Sequence, residues 1–238
     1  MIRDPQRISV DGTATVRVAS RSGNVTVVAE DRVDILVERG EVSIDETSPT
    51  RISVSDRAGR IGLRVPVGTT LVIGAQSGNV DISGPVGATS VNMRSGRMMI
   101  EQAEQLDIRT TSGTVGIGGC TCGCRINSGS GNVTVDDAGS ADVMVTSGSI
   151  RVGGVRGPVA AKTLSGSVEV ALAEPADVEA ESVSGHVRIE VPPGTHPQLD
   201  VKTGGSLSCD VDEGSDFKLT ATSVSGSLTI ASAEASGD

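Results

Sequence analysis

The sequence predicts an all-β fold, a single-domain parallel β-solenoid of about 12 turns with about 18 residues in each turn. Three observations predict this fold. A serine–glycine pair recurs along the chain, apolar and polar residues alternate on both sides of it, and aromatic residues are nearly absent. Repeats of this length are typical of solenoids, in which each repeat packs only against its neighbours. We expect the solenoid to span residues 1–232 and the short acidic stretch 233–238 to form a tail.

The corner of each turn is predicted by the stretch Ser-Gly-Asn-Val, found at residues 22–25, 77–80 and 130–133. Glycine accepts a positive φ and lets stacked backbones approach closely, and a serine hydroxyl can bond a backbone group that the turn leaves unpaired. Looser copies fill the intervals between these three. The aligned glycines are Gly23, Gly40, Gly59, Gly78, Gly96, Gly113, Gly131, Gly148, Gly166, Gly185, Gly205 and Gly226.

A strand is predicted on each side of the corner. The second and fourth residues after the glycine are apolar in every copy, from Val25 and Val27 in the first copy to Leu207 and Cys209 in the eleventh. Alternation with period two indicates a strand with one buried face. Before the glycine, apolar pairs recur at Val16 and Val18, Val33 and Ile35, Ile52 and Val54, Leu71 and Ile73, and Leu106 and Ile108.

A third inward-facing side is predicted by a weaker column of small residues seven positions after the glycine. Its members are Ala103, Cys120, Ala138, Val155 and Ala173. Stacking at about 4.8 Å per turn would bury all three columns in one continuous core, which a single repeat cannot do. The crossover rule favours right-handed winding.

The near-absence of aromatic residues fits thin stacked turns, since a bulky ring would overfill one layer and push its neighbours apart. The chain has one Phe and no Tyr or Trp. That residue, Phe217, lies in the longest loop between predicted strands, where we expect it to cover an end of the core.

The repeats resemble those of a known family. The stretches SGNVTV at 22–27, SGNVDI at 77–82, SGSIRV at 147–152 and SGSVEV at 165–170 each follow an alternating strand. They are similar to the bacterial β-strand-repeat family of "putative adhesins", whose domain is also called Toastrack. The resemblance covers nearly the whole chain. It implies a non-catalytic β-helix, often linked to envelope-stress or regulatory proteins, and it implies no catalytic residues.

Charge and composition argue against several classes of partner. The chain has 30 acidic and 20 basic residues, and this net charge of −10 repels nucleic-acid phosphates and anionic lipids. Single-strand binding also relies on aromatic stacking. No run reaches the roughly 18 apolar residues of a membrane span, and the N-terminal stretch lacks the apolar core of a signal peptide. We therefore expect no nucleic-acid binding, no membrane insertion and a cytoplasmic location.

Cys120, Cys122 and Cys124 are the only candidates for a metal site. Closely spaced thiolates can bind zinc or copper(I). A fourth ligand is missing, because Cys209 lies five predicted turns away, or about 24 Å at the strand spacing. In the alternative interpretation, Cys120 and Cys124 fill small core positions and Cys122 faces outward. This alternative is favoured, so we predict no metal and no cofactor; the lack of a long-range disulfide fits a reducing compartment.

The other polar residues do not suggest catalysis. His186 follows a corner glycine and His196 lies in a proline-rich loop, so both are expected to be exposed and to lack a partner. The outward column three positions after the glycine places Arg151, Glu169 and Arg188 on neighbouring turns, which is typical of a cross-strand charge ladder. Paired carboxylates of the glycosidase kind are missing from that column. We predict that the protein is not an enzyme.

Two functions remain open from the sequence. In the first, the rigid solenoid is an interaction or scaffold module, and one lateral face binds a protein partner such as a regulator or an envelope-stress component. In the second, copies associate end to end into a filament or a fixed oligomer, because the end of a solenoid exposes unpaired strand edges.

Overall fold

The computed structural model describes residues 5–10, 14–44, 51–56 and 59–233, so the predicted acidic tail lies outside the described residues apart from its first position. Within these ranges the regular structure is entirely β-strand, and no helix there is long and apolar enough to cross a membrane. The strands are β1 Gln6–Ser9, β2 Thr15–Ser22, β3 Val25–Glu30, β4 Asp34–Arg39, β5 Glu41–Ile44, β6 Arg51–Asp56, β7 Ile61–Pro66, β8 Thr70–Ser130, β9 Val133–Ala138, β10 Ala141–Ser147, β11 Ile150–Val155, β12 Val159–Ser165, β13 Val168–Leu172, β14 Val178–Ser184, β15 Val187–Val191, β16 Gln198–Thr203, β17 Leu207–Asp210, β18 Lys218–Ser225 and β19 Leu228–Ser232.

The chain forms two compact units, Met1–Cys120 (unit 1) and Thr121–Asp238 (unit 2). In both units, strands pair in parallel with the equivalent strands of other repeats, as β2 does with β6 and β12 with β14. This pairing confirms the predicted parallel β-solenoid. The extent of a single domain, the number of turns and the direction of winding stay predictions.

The two columns after the corner glycine form the core, as predicted. Val25, Val27, Leu228 and Ile230 all have side chains that are 0% exposed. The prediction is wrong for the repeat of Gly205, in which Leu207 and Cys209 are both exposed. Their strand, β17, pairs along one edge only, with β19, so no further turn covers them among the described residues.

The columns before the glycine are buried in the same way, with one exception. Val16 and Val18 are at most 1% exposed, whereas Val33 is 83% exposed. Val33 precedes β4, which pairs antiparallel with β7 instead of continuing the parallel stack. The prediction that Val33 faces inward is therefore wrong.

The third inward side exists, with a shift of one residue in one repeat. Ala103, Ala138 and Val155 are buried, as expected. Ala173 was expected next in this column, but it is exposed, and Leu172 pairs with Val155 and is buried in its place. The register between β11 and β13 shifts by one residue between Val152 and Val155. Counting seven residues from the glycine therefore reaches Ala173, one residue beyond the buried position.

The corner glycines stack directly on one another. Gly78 has a φ of +124°, and a Cβ built on it would lie 2.0 Å from the carbonyl oxygen of Gly23. In unit 2, a Cβ on Gly166 would lie 2.0 Å from the carbonyl oxygen of Gly148. Any other residue would collide with the neighbouring turn, which explains why glycine recurs at this position.

Hydroxyl groups three residues before the glycine bond the corner carbonyls in unit 2. The Oγ of Ser182 donates to the Gly166 carbonyl at 3.0 Å, and the Oγ of Ser223 donates to the Gly185 carbonyl at 3.0 Å. The sequence predicts this role for the serine directly before the glycine. That holds for Ser77, whose Oγ donates to Arg21 at 3.4 Å. Ser165, Ser184 and Ser225 are instead exposed, and their backbone carbonyls accept the N–H groups of corner glycines in the neighbouring turn, namely Gly148, Gly166 and Gly185.

The order of strands in the stack differs from their order in the chain. In unit 1, β2 lies between β6 and β8. In unit 2, β18 lies between β14 and β16, and β19 lies between β15 and β17. The strand that follows Phe217 is therefore paired on both edges. Phe217 is 7% exposed and fills an internal layer, so the prediction that it covers an end of the core is wrong.

The outer edges of β6 and β7 are covered by a reversed turn. The copy around Gly40 does not continue the parallel stack: β5 pairs antiparallel with β6, β4 pairs antiparallel with β7, and β1 pairs with β4. Ion pairs hold this cover in place. Arg64 of β7 contacts Glu38 at 2.7 Å and Glu30 at 3.1 Å, and the hydrogen bond to Glu38, followed by the charge of Glu30, raises the pKa of Arg64.

Candidate interaction surface

Four large apolar side chains lie exposed on neighbouring strands of unit 2. Met144 of β10 is 50% exposed, Leu164 of β12 is 59%, Val183 of β14 is 46% and Val224 of β18 is 60%. We call these four residues the apolar stripe. Monomeric proteins rarely expose contiguous apolar groups of this kind unless the surface has a partner.

The strand registers place three of these side chains side by side, and Met144 lies opposite Lys162 on the adjacent strand. Ser182 and Ser184 of β14 are opposite Thr163 and Ser165 of β12, so Val183 lies beside Leu164. Ser182 and Ser184 are also opposite Ser223 and Ser225 of β18, which places Val224 on the other side of Val183. Paired strands are about 4.8 Å apart, so Leu164, Val183 and Val224 form a continuous row.

The stripe faces outward because of the alternation that builds the core. Thr163, Ser182 and Ser223 point inward, and so their following residues, Leu164, Val183 and Val224, must point to solvent. A polar residue is the usual choice at such a position. The sequence carries a detectable signal here, since three successive copies in the stack have an apolar residue two positions before the corner glycine. The outward column considered in the sequence lies three positions after the glycine, so this row before the glycine was missed.

A charged cluster borders the stripe. The Nζ of Lys162 contacts Glu179 at 2.7 Å and Glu181 at 3.4 Å. The hydrogen bond to Glu179 is the main cause that raises the pKa of Lys162; partial burial opposes this rise, and the charges of Glu181 and Glu179 add to it. Lys162 is therefore held as a cation by two carboxylates, and the border of the stripe keeps a net negative charge.

The predicted charge ladder is present in part on the strands after the corner. Arg151 of β11 contacts Glu169 of β13 at 2.7 Å across the strands. Arg188 of β15 instead bonds Glu190 of its own strand at 2.7 Å. These residues line a shallow depression of about 180 Å³. Because its charged groups neutralise one another, the depression presents no unpaired acid or base.

The cysteines lie as the core interpretation requires. Cys120 and Cys124 are buried, whereas Cys122 is exposed. The described part of the chain contains no group of three or more His, Cys, Asp or Glu side chains arranged to hold a metal ion. The prediction that no metal binds stays a prediction.

The two histidines are exposed, and both have partners that the sequence did not indicate. The Nδ1 of His186 is 2.5 Å from the Oγ of Ser227. The backbone N–H of His196 donates to the Asp216 carboxylate at 2.8 Å. The second bond ties the proline-rich loop to the loop before β18, which is a structural role.

Stacked parallel strands, glycine corners and an exposed apolar row define a β-solenoid repeat protein. Residues 50–238 match the model of the Toastrack DUF4097 family, and the chain belongs to that family. The resemblance predicted from the repeats is thereby confirmed. No curated protein matches the sequence.

Two solved structures resemble the chain. A "putative adhesin" from Parabacteroides merdae is 11% identical with a TM-score of 0.43, and the match covers 97% of this chain and 96% of that chain. A "putative cell adhesion protein" from Clostridium sporogenes is 7% identical with a TM-score of 0.21, and the match covers 97% and 99%. Both TM-scores are below 0.5, so the assignment rests on the family match.

Proposed function

We propose that this Toastrack protein is a non-enzymatic interaction module whose apolar stripe binds a protein partner. The observation that supports this proposal is the row of exposed apolar side chains at Leu164, Val183 and Val224, with Met144 exposed on the adjacent strand β10. Covering these side chains would release about 25 cal/mol for each Å² of apolar surface removed from water. A rigid sheet also loses little conformational entropy on binding.

The charge of the chain narrows the chemistry of the partner. The net charge is −10, and Glu179 and Glu181 lie next to the stripe. Opposite charges speed association and select the correct partner. We therefore propose a partner that presents apolar side chains flanked by lysine or arginine residues, such as a regulator or an envelope-stress component.

The test is capture of partners from the native host by the wild-type protein and by two variants. Leu164→Asp combined with Val183→Asp places two charges within the stripe and should abolish capture of the specific partner. Val67→Asp is the matched control, because Val67 is 53% exposed and lies in unit 1. Partners retained by Val67→Asp but lost by the double variant support the proposal. Equal capture by all three proteins contradicts it.

We propose the cytoplasm as the compartment of the chain. Cys122 and Cys209 are both exposed, and exposed thiols persist best where glutathione and thioredoxin keep them reduced. A membrane-impermeant maleimide applied to intact host cells should leave the protein unlabelled, and lysis should make Cys122 reactive. Labelling before lysis would place the protein outside the membrane.

A further inference from the structure

Unit 2 has one strand edge that the described residues leave uncovered. β16 pairs only with β18 and β17 pairs only with β19, so the outer edges of β16 and β17 have no strand against them in the described ranges. The core side chains of this turn are open to solvent on the same side. Leu207 is 52% exposed, whereas Leu228, its partner on β19, is 0% exposed. We call β16 and β17 the open turn.

Unit 1 shows how this protein covers such an edge. There, β5 pairs antiparallel with β6 and β4 pairs antiparallel with β7, so each strand before a corner glycine lies against a strand after one. In this reversed packing, Val42, two residues after its glycine, is opposite Val54, five residues before the next one. One turn of this repeat can therefore cover the edge of another through antiparallel strand pairing.

We propose that two copies of the chain cover each other's open turns in this reversed geometry and form a closed dimer. β16 of one copy would pair antiparallel with β17 of the other, and β17 with β16, about a two-fold axis near Gly205. Such an interface is isologous, because the same surface serves both copies and every contact occurs twice. The open turn would then have its unpaired backbone groups satisfied on both edges.

The residues of the open turn are complementary in this register. Val201 and Leu199 of β16 pair with Ala221 and Leu219 of β18. They are therefore equivalent to the residues five and seven positions before the corner glycine that follows β18. The register of unit 1 then places Leu207 opposite the partner's Val201 and Cys209 opposite the partner's Leu199. Both pairs are apolar, and each would occur twice.

The dimer closes instead of growing into a filament. Growth from the two-fold contact needs a second adhesive edge on each copy, and the matching edges of β6 and β7 in unit 1 are already covered by β5 and β4. Only the open turn offers uncovered core side chains of this kind among the described residues. Association therefore stops at two copies.

Sedimentation equilibrium across a wide concentration series tests the proposal with the full chain. The wild-type protein should approach twice the chain mass of 24.0 kDa. Leu207→Lys should weaken dimerisation by at least about 30-fold, as expected for a central interface residue. Val67→Lys is the matched control, because Val67 is 53% exposed and Leu207 is 52% exposed, and it should leave the dimer intact. Circular dichroism and thermal unfolding check that both variants stay folded.

A disulfide across the interface tests the register itself. In a Cys122→Ser background, Leu199→Cys should form a disulfide with Cys209 of the partner subunit on oxidation, seen as a band at twice the chain mass. A Val33→Cys control should not form that band with Cys209.

Three outcomes would overturn the proposal. The first is a mass that stays at 24.0 kDa at every concentration, and the second is a mass that grows without limit. The third is the absence of the disulfide-linked band when the Leu199→Cys variant is oxidised. The dimer is independent of the apolar stripe, so Leu164→Asp with Val183→Asp should leave the dimer mass unchanged. Failure of partner capture and failure of dimerisation are thus separate results.

Discussion

Replacement of Gly78 by alanine should be among the most damaging single changes in unit 1. Gly78 has a φ of +124°, and the added Cβ would lie 2.0 Å from the carbonyl oxygen of Gly23, 2.8 Å from its carbonyl carbon and 3.1 Å from its nitrogen. All three atoms belong to the backbone of the neighbouring turn. No side-chain rotation can relieve the collision, so the two turns must separate at the corner.

The expected cost combines two contributions. A positive φ costs an alanine about 1–2 kcal/mol. A carbon-to-oxygen contact of about 3.3 Å is normal, so the turns must move apart by about 1.3 Å, which strains the corner hydrogen bonds and opens a gap in the core. A further 2–3 kcal/mol for this separation gives a total of about 4 kcal/mol, near the upper end of single-residue effects.

Two nearby glycines separate these contributions. Gly68 has a φ of +77° with no atom within 4 Å of its added Cβ, so Gly68→Ala should cost only the backbone strain of about 1–2 kcal/mol. Gly74 lacks a positive φ and its Cβ would lie 3.9 Å from Val18, so Gly74→Ala should be neutral or stabilising by up to about 1 kcal/mol. Urea unfolding followed by circular dichroism ranks the three variants. If Gly78→Ala costs no more than Gly68→Ala, the stacked-corner argument is wrong.

Three further predictions follow from the same contacts. Ser182→Ala removes the hydroxyl that donates to the Gly166 carbonyl, and it should lower the free energy of urea unfolding by about 1–3 kcal/mol. Ser182→Thr should be tolerated, because Thr163 makes the equivalent bond in its own turn. Equal losses of stability in the two variants would contradict this role. Arg64→Met removes the contacts to Glu38 and Glu30, so amide hydrogen exchange in β4 should accelerate. Exchange in β9, which lies in unit 2, should stay unchanged. Uniform acceleration in both strands would mean global unfolding instead. Lys162 has a raised pKa, so its stabilisation is complete below its unfolded pKa of about 10.4 and is lost as the pH rises through the folded value. The stability difference between the wild-type protein and Lys162→Met should therefore shrink above about pH 10.4, and a constant difference across that range would show that the charge is not responsible.

The inward columns could be predicted from the sequence because they depend on local rules. Side chains alternate across a strand, so Val25 and Val27 must share a face, and a row of such pairs at a fixed spacing implies a stacked core. The outward row at Leu164, Val183 and Val224 follows from the same rule, and it was readable from the sequence as apolar residues at positions that are normally polar. The same count fails at Leu172, which takes the buried place expected of Ala173 because the register shifts between Val152 and Val155.

The order of stacking could not be predicted in this way. Equivalent strands of different repeats carry the same pattern, so β14 could pair equally well with β18 or with β16. No local feature of the sequence determines which of them lies next to β14. The exposure of Leu207 and the internal place of Phe217 both follow from that choice. The sequence by itself determined the repeat, its glycine corners and the inward face of each strand, because neighbouring residues enforce them. Tertiary structure alone decided which turn is outermost and which edge is covered, because near-identical strands compete for the same partners and only the sum of long-range contacts separates them.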